Sequence, residues 1–171
     1  GYTFASETDT EVLVKLIDSC YQGEPVQALQ AALAKVRGRY ALAVLFKDYP
    51  DTIFAVKRES PLIVGWGEGE NFVASDIPAL LKYTRSYSVL EEGDMAVCTA
   101  QGIRFYNEFG EAVEREKLTA DWDMEAAEKG GYPHFMLKEI NEQPAAITET
   151  VSPRVENGLP ELRIPELTDE K

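Results

Sequence analysis

The run Ser60-Pro61-Leu62-Ile63-Val64-Gly65-Trp66-Gly67-Glu68-Gly69-Glu70-Asn71-Phe72-Val73-Ala74-Ser75-Asp76 decides the fold. Two short apolar segments, Leu62–Val64 and Phe72–Ala74, flank glycines at 65, 67 and 69. β-Branched and aromatic residues suit a pleated strand, and glycine supplies the backbone angles of a tight turn, so the stretch reads as a β-hairpin. A phosphate-cradling loop fits less well. A dinucleotide fingerprint would require glycine where Glu70 stands, no Gly-Lys-Ser/Thr ending follows, and Glu68 and Glu70 would repel a phosphate.

Further extended runs lie on both sides: Tyr40–Phe46 and Thr52–Val56 before the hairpin, Tyr87–Leu90, Met95–Thr99 and Ile103–Tyr106 after it. The hairpin is therefore expected inside one multi-stranded, mainly antiparallel sheet, with helices at both ends of the chain: an α+β fold. Tyr40–Phe46 is apolar on both faces, which predicts a strand covered above and below. Glu91-Glu92-Gly93-Asp94 and Ala100-Gln101-Gly102 read as turns between strands.

Before the strands, Thr8 caps a helix and Glu11 completes a capping box, with Asp9 in the first turn favoured by the helix dipole. Leu13, Leu16, Ile17 and Cys20 share one face of that helix, which makes Cys20 a small core residue, and Gly23 and Pro25 end it. A second helix carries Leu29, Ala32, Leu33 and Val36 on its buried side and stops at Gly38. After the hairpin, Ser75-Asp76 starts a short helix through Leu80 and Leu81. Near the C-terminus a helix runs from His134 through Ile140, Pro144 breaks or kinks it, and a further short helix covers Ala145–Thr150.

One domain with a real core suits the 171 residues. The net charge of −13 disfavours nucleic acid and anionic membranes as partners, since both select Lys/Arg clusters. No apolar run reaches the length of a membrane span. Two cysteines outside any CxxC pair make no disulfide framework and point to reduced thiols in the cytoplasm. With His134 the single histidine, a multi-histidine metal site is excluded, and neither a metal nor a cofactor is expected.

Asp121, Asp123 and Glu125 lack the glycine and bidentate glutamate of a calcium loop and read as a solvated loop. Cys98 is a core or face residue with no charged neighbour in sequence to activate it. No nucleophile–base pair and no Gly-x-Ser-x-Gly elbow is present, so the residues alone define a soluble α+β domain.

Four blocks in order carry a resemblance: Gly1-Tyr2-Thr3-Phe4-Ala5-Ser6-Glu7-Thr8-Asp9-Thr10-Glu11, the run 60–76, Glu91-Glu92-Gly93-Asp94, and Lys138-Glu139-Ile140-Asn141-Glu142-Gln143-Pro144. Together they closely resemble the glutamine amidotransferase domain of glutamine–fructose-6-phosphate aminotransferases (glucosamine-6-phosphate synthases), over residues 1 to about 150. The resemblance implies an αββα sandwich of the N-terminal-nucleophile hydrolase type, of which this chain supplies the later part. It implies that the cysteine nucleophile, an Arg-Trp substrate stretch and an Asn-Gly oxyanion pair have no counterpart here, so no catalytic residue is assigned. Asp9 aligns with the aspartate that binds the α-amino group of glutamine.

By the same resemblance, residues 1–151 are the C-terminal part of the amidotransferase domain. Residues 152–171 are a linker towards a sugar-phosphate isomerase domain of the same polypeptide, and their composition, with Pro153, Pro160 and Pro165 among charged residues, agrees. The block 138–144 reads equally as a packing helix and as a domain interface. The isolated chain is expected to be inactive and to self-associate at uncovered sheet edges. The competing reading is a non-catalytic binding or assembly module that keeps the fold. A relative of asparagine synthetase or a phosphoribosyl amidotransferase is a third, and the four blocks match the sugar enzyme more closely.

Overall fold

The structure, a computed structural model, describes residues 1–121, 130–156 and 159–160. It divides into two units, Gly1–Met124 and Glu125–Lys171.

In the first unit, helices α1 (Asp9–Cys20) and α2 (Pro25–Leu33) precede nine strands. These are β1 (Tyr40–Phe46), β2 (Tyr49–Arg58), β3 (Ile63–Trp66), β4 (Asn71–Ala74), β5 (Ser86–Val89), β6 (Met95–Thr99), β7 (Gly102–Tyr106), β8 (Ala112–Val113) and β9 (Leu118–Thr119). The strands form two antiparallel sheets, ordered β1-β2-β6-β7-β8 and β4-β3-β5-β9. These two sheets are the two β layers of the expected αββα sandwich, where the residues alone suggest only a multi-stranded sheet. The hairpin β3–β4 lies in the smaller one, where β4 is an edge.

Alternation along β2 explains the layering. Phe54 and Val56 face the helices with Ile17, Leu29, Ala32, Leu33, Met95 and Val97. Ala55, between them, faces the second sheet with Val64, Leu90, Ala96, Cys98 and Phe105. Period-two side chains from one strand therefore feed two cores, giving helices on the first sheet and the first sheet on the second. The small residues Ala55 and Ala96, both 0% exposed, allow the sheets to approach closely.

The N-cap of α1 is Thr8, in extended backbone, whose Oγ1 accepts from the Glu11 amide at 3.4 Å. Pro25 does not end α1; it opens α2 at the first helical turn, where its missing N–H costs nothing. Helix α2 stops at Leu33, and turn bonds from Lys35 and Val36 close it before Gly38. Asp76 and residues after it form successive turns rather than a helix. The Asp76 side chain accepts from Ala79 at 3.2 Å, and Leu80 and Leu81 are buried.

β1 differs most from expectation. Its residues Tyr40, Leu42, Val44 and Phe46 pack beneath the helices, but Ala41, Ala43 and Leu45 are exposed, Leu45 by 71%. The second sheet does not reach under this strand, so only one of its faces is covered. It is also an edge, bonded to β2 alone.

The hairpin turn is structural, as its glycines implied. Gly67 donates to the Glu70 carbonyl at 3.1 Å, and Gly69 has φ +73°. Asn71 Nδ2 then ties the hairpin to the Thr99 carbonyl of the first sheet at 2.6 Å.

In the second unit, α3 (Phe135–Val151) is one helix running through Pro144, so Ala145–Thr150 is part of it and not a separate helix. Its Thr148 hydroxyl donates to the Pro144 carbonyl at 2.7 Å. A single turn of 3₁₀-helix, Ser152–Arg154, follows, and β10 (Val155–Glu156) pairs with β11 (Leu159–Pro160) within the stretch expected to be a linker.

Candidate functional site

Asp9 is the first residue of α1 and is exposed. Among the described residues nothing hydrogen-bonds or ion-pairs with its carboxylate, so the group stands free at the positive end of a 12-residue helix.

The segment leading into it is held down by α1 itself. Tyr2 Oη donates to Asp18 Oδ2 at 2.8 Å, and that bond raises the Tyr2 phenol above its usual range. The Lys15 ammonium lies 5.9 Å from the centre of the Tyr2 ring and 5.7 Å from that of Phe4. Glu11 turns back on the same segment. Its carboxylate accepts from the amides of Ala5 at 2.9 Å and Ser6 at 2.7 Å and from the Ser6 hydroxyl, with Lys15 Nζ 3.4 Å away. The Ser6 hydroxyl first, and then the Ala5 amide, hold the Glu11 carboxyl down to about 2.

A capping box puts the Glu11 carboxylate on the amide of its own cap, Thr8. The structure places it on Ala5 and Ser6 instead, while the Thr8 amide meets the Ser6 hydroxyl at 3.5 Å. The signal was Ser6, a hydroxyl two residues before the cap. The result is a fixed backbone from residue 2 to the helix, ending in one uncommitted carboxylate. Such an arrangement can bind a cation without first ordering it.

Beside the first turn of α1 an apolar groove of about 340 Å³ runs along the free edge of β1, lined by Thr10, Leu13, Val14 and Ile17 from the helix and by Leu42–Asp48 from the strand side. Asp9 immediately precedes the first of these lining residues.

The two thiols are not placed for catalysis. Cys98, on β6, is 3% exposed between the sheets, and burial pushes it up to about 12, settling it as a core residue. Cys20 packs against the helix-side core as expected, with Lys35 Nζ 3.8 Å from its sulfur. His134 is the exposed N-cap of α3 in the second unit. Asp121 is exposed, and Asp123 and Glu125 lie outside the described residues. Among the described residues no group of three or more metal-ligating side chains occurs, and no helix is long and apolar enough to cross a membrane.

Glu91–Asp94 does more than turn the chain. All three acids of that turn are engaged: Glu91 and Asp94 with Arg115, and Glu92 with Lys57 and the Glu59 amide.

Residues 1–82, which include Asp9 and the hairpin, match the family model described as a glutamine amidotransferase domain. Over just under half of its length the chain is thus similar to glutamine amidotransferase domains. Within that class it is similar to glutamine–fructose-6-phosphate aminotransferases [isomerizing]. It is 52% identical over 157 residues to that of Caldanaerobacter subterraneus subsp. tengcongensis, 48% over 160 to that of Clostridium acetobutylicum, and 49% over 164 to that of Thermus thermophilus. Those alignments cover 92%, 94% and 95% of this chain but 26%, 26% and 27% of the relatives, so the chain spans about a quarter of their length. Among solved structures, the glutamine phosphoribosylpyrophosphate amidotransferase from B. subtilis superposes with a TM-score of 0.55 at 23% identity, over 63% of this chain and 24% of that one. That likeness supports the mixed helix and antiparallel-sheet fold.

Proposed function

We propose that this chain is the later portion of a glutaminase domain in an enzyme that moves the amide nitrogen of glutamine to fructose 6-phosphate, giving glucosamine 6-phosphate. Asp9 holds the α-ammonium of glutamine. The observation that carries this reading is the free Asp9 carboxylate on a prefixed helix start, within the residues that match the amidotransferase model.

The division of labour follows from charge. A substrate ammonium requires a fixed counter-charge, and Asp9 provides one whose position is set by the Glu11, Lys15 and Tyr2 contacts rather than by the ligand. Helix α1 favours the anion at its N-terminus, and arrival of the substrate cation completes an otherwise solvated pair. Neither Cys20 nor Cys98 is suited to attack the amide, so the attacking thiol comes from polypeptide outside these 171 residues. Within the same reading, residues 1–151 complete the glutaminase domain and residues 152–171 lead to the sugar-isomerase domain that uses the ammonia. The enzyme works in the cytoplasm, and the isolated chain, with its sheet edge bare, self-associates.

The test is Asp9→Ala in the complete enzyme. A charge-assisted contact of about 1.5–3 kcal/mol corresponds to a KM for glutamine raised about 10- to 150-fold. An unaltered glutamine KM refutes the role given to Asp9, and ammonia release from glutamine by the purified 171-residue chain refutes the division of the site.

A further inference from the structure

We propose that Cys20 and Lys35 form a self-acylating pair: the Cys20 sulfur takes an acyl group from a small acyl thioester and hands it to the Lys35 amine. The product is an uncharged acyl-lysine just past the end of α2. The pair lies at the opposite end of the 12-residue helix α1 from Asp9, about 16 Å along the axis, so it does not depend on the role given to Asp9.

The fold makes the pair, because the two residues stand 15 apart in sequence. Leu16, Ile17 and Cys20 of α1 share one core with Leu29, Ala32 and Leu33 of α2. A turn bond from the Lys35 amide to the Ala32 carbonyl, 3.0 Å, then folds the chain back at the end of α2. Lys35 Nζ is left 3.8 Å from Cys20 Sγ and donates to it. Ser19 Oγ lies 3.9 Å from the same sulfur. The single hydroxyl hydrogen of Ser19 is given to the Leu16 carbonyl at 2.7 Å, so in the contact with Ser19 the thiol is the donor. The sulfur thus has an acceptor for its proton and a cation beside the charge it gains. Among the described residues the Lys35 amine pairs with no carboxylate, although the chain holds 30 acids against 17 Lys and Arg. Cys20 is half-buried while Ser19 and Lys35 are exposed, so a small thioester reaches the sulfur from solvent.

Two steps balance without any oxidant. In the first, the Cys20 sulfur attacks the thioester carbonyl; the bond from that carbon to the carrier's sulfur breaks, and the carrier leaves as a thiol with the proton that Cys20 gives up. A thioester is open to exchange by a thiol in a way that the amide of glutamine is not, so Cys20 serves here and not there. In the second, Lys35 Nζ in its uncharged form attacks the same carbonyl. The new carbon–nitrogen bond replaces the carbon–sulfur bond, and the amine's proton returns the sulfur to a thiol. Reacting atoms need to stand about 3–3.5 Å apart, and an acyl carbon bonded to a sulfur 3.8 Å from the amine falls within that reach. The amide is the more stable product, so the transfer runs one way.

The test incubates the full 171-residue chain with acetyl-coenzyme A in mildly alkaline buffer and follows each peptide by mass spectrometry, with hydroxylamine to separate thioester from amide. A hydroxylamine-labile acetyl group should appear on Cys20 first and decline as a stable acetyl group grows on Lys35. Lys35 should be acetylated at least about 10-fold faster than Lys47, an exposed lysine with no thiol contact, because its acyl donor is already in place. Cys20→Ala should bring Lys35 down to the rate of Lys47. Lys35→Arg, which leaves the thiol and the packing of α1 intact, should make the Cys20 thioester accumulate instead of declining. Equal rates at Lys35 and Lys47 in the wild-type chain overturn the proposal, as does a Lys35 rate untouched by Cys20→Ala or a Cys20 thioester equally long-lived with and without Lys35. No glutamine is present, so the outcome is separate from the Asp9→Ala kinetics.

Discussion

Arg115 lays its guanidinium fork on Asp94, with Nε 2.7 Å from Oδ2 and Nη2 2.8 Å from Oδ1. Asp94 is 1% exposed, and its Oδ2 also accepts the Glu91 amide at 2.7 Å. The pair fastens the turn before β6 to the strand-poor stretch after β8, two places 21 residues apart in sequence. Arg115 reaches Glu91 as well, at 3.1 Å.

Removing Asp94 strips the partly buried Arg115 fork of its bidentate partner, leaving it only the exposed Glu91, and takes the acceptor from the Glu91 amide. Asp94→Ala should therefore lower the unfolding free energy by about 3–5 kcal/mol. Asp94→Asn, which keeps the shape and one acceptor, should cost less. Urea denaturation of the 171-residue chain checks this, and a loss under about 1 kcal/mol for the alanine variant contradicts it.

Glu11 ties residues 5 and 6 to α1 only while ionised. Its folded pKa is lowered to about 2 from an ordinary 4.5, so the contribution is complete above about 4.5 and is lost as pH falls through about 2. The Ala5 and Ser6 amide resonances should shift across that interval. In Glu11→Gln the acid-dependent shift should vanish, and a shift that persists there assigns it to another group.

The two cysteines should separate cleanly in labelling. Cys20 is half-buried on a helix and should react with iodoacetamide in the folded chain, while Cys98 should react only after denaturant is added. Burial holds Cys98 protonated to about 12 against an ordinary 9. The unfolded thiol thus ionises first, and stability attributable to this group is present below about 9 and declines as pH rises towards 12. Cys98→Ala should flatten that part of the stability profile.

Two glycines give a paired prediction. A Cβ on Gly67 would sit 2.7 Å from the backbone carbonyl of Glu70, an atom that cannot swing aside, whereas one on Gly102 meets nothing within 4 Å. Gly67→Ala should cost about 1–3 kcal/mol and Gly102→Ala less than about 0.5. Thermal unfolding of the two variants side by side checks the contrast.

What the sequence disclosed was local. Thr8 and the Leu13/Ile17 face placed α1, alternating and β-branched runs placed β6 and β7, and the glycines at 67 and 69 placed the hairpin turn. Pro25 misled because proline marks a helix's first turn as readily as its surroundings' end. The pairing of Asp94 with Arg115 and the split into two sheets depend on contacts far apart in the chain, and no period or spacing reports them. An apolar strand such as β1 carries no mark saying whether its second wall is present. Asp9 was found through resemblance. Its lack of a partner among the described residues, and the part played by Ser6 in fixing Glu11 beneath it, rest on contacts that no spacing in the sequence reports.

The alternation along β2 also sets how the first unit comes apart. Phe54 and Val56 hold one interior while Ala55 seals the other, so neither layer can melt without dragging the shared strand. Heating should accordingly yield a single cooperative transition for residues 1–121, with calorimetric and van't Hoff enthalpies in agreement.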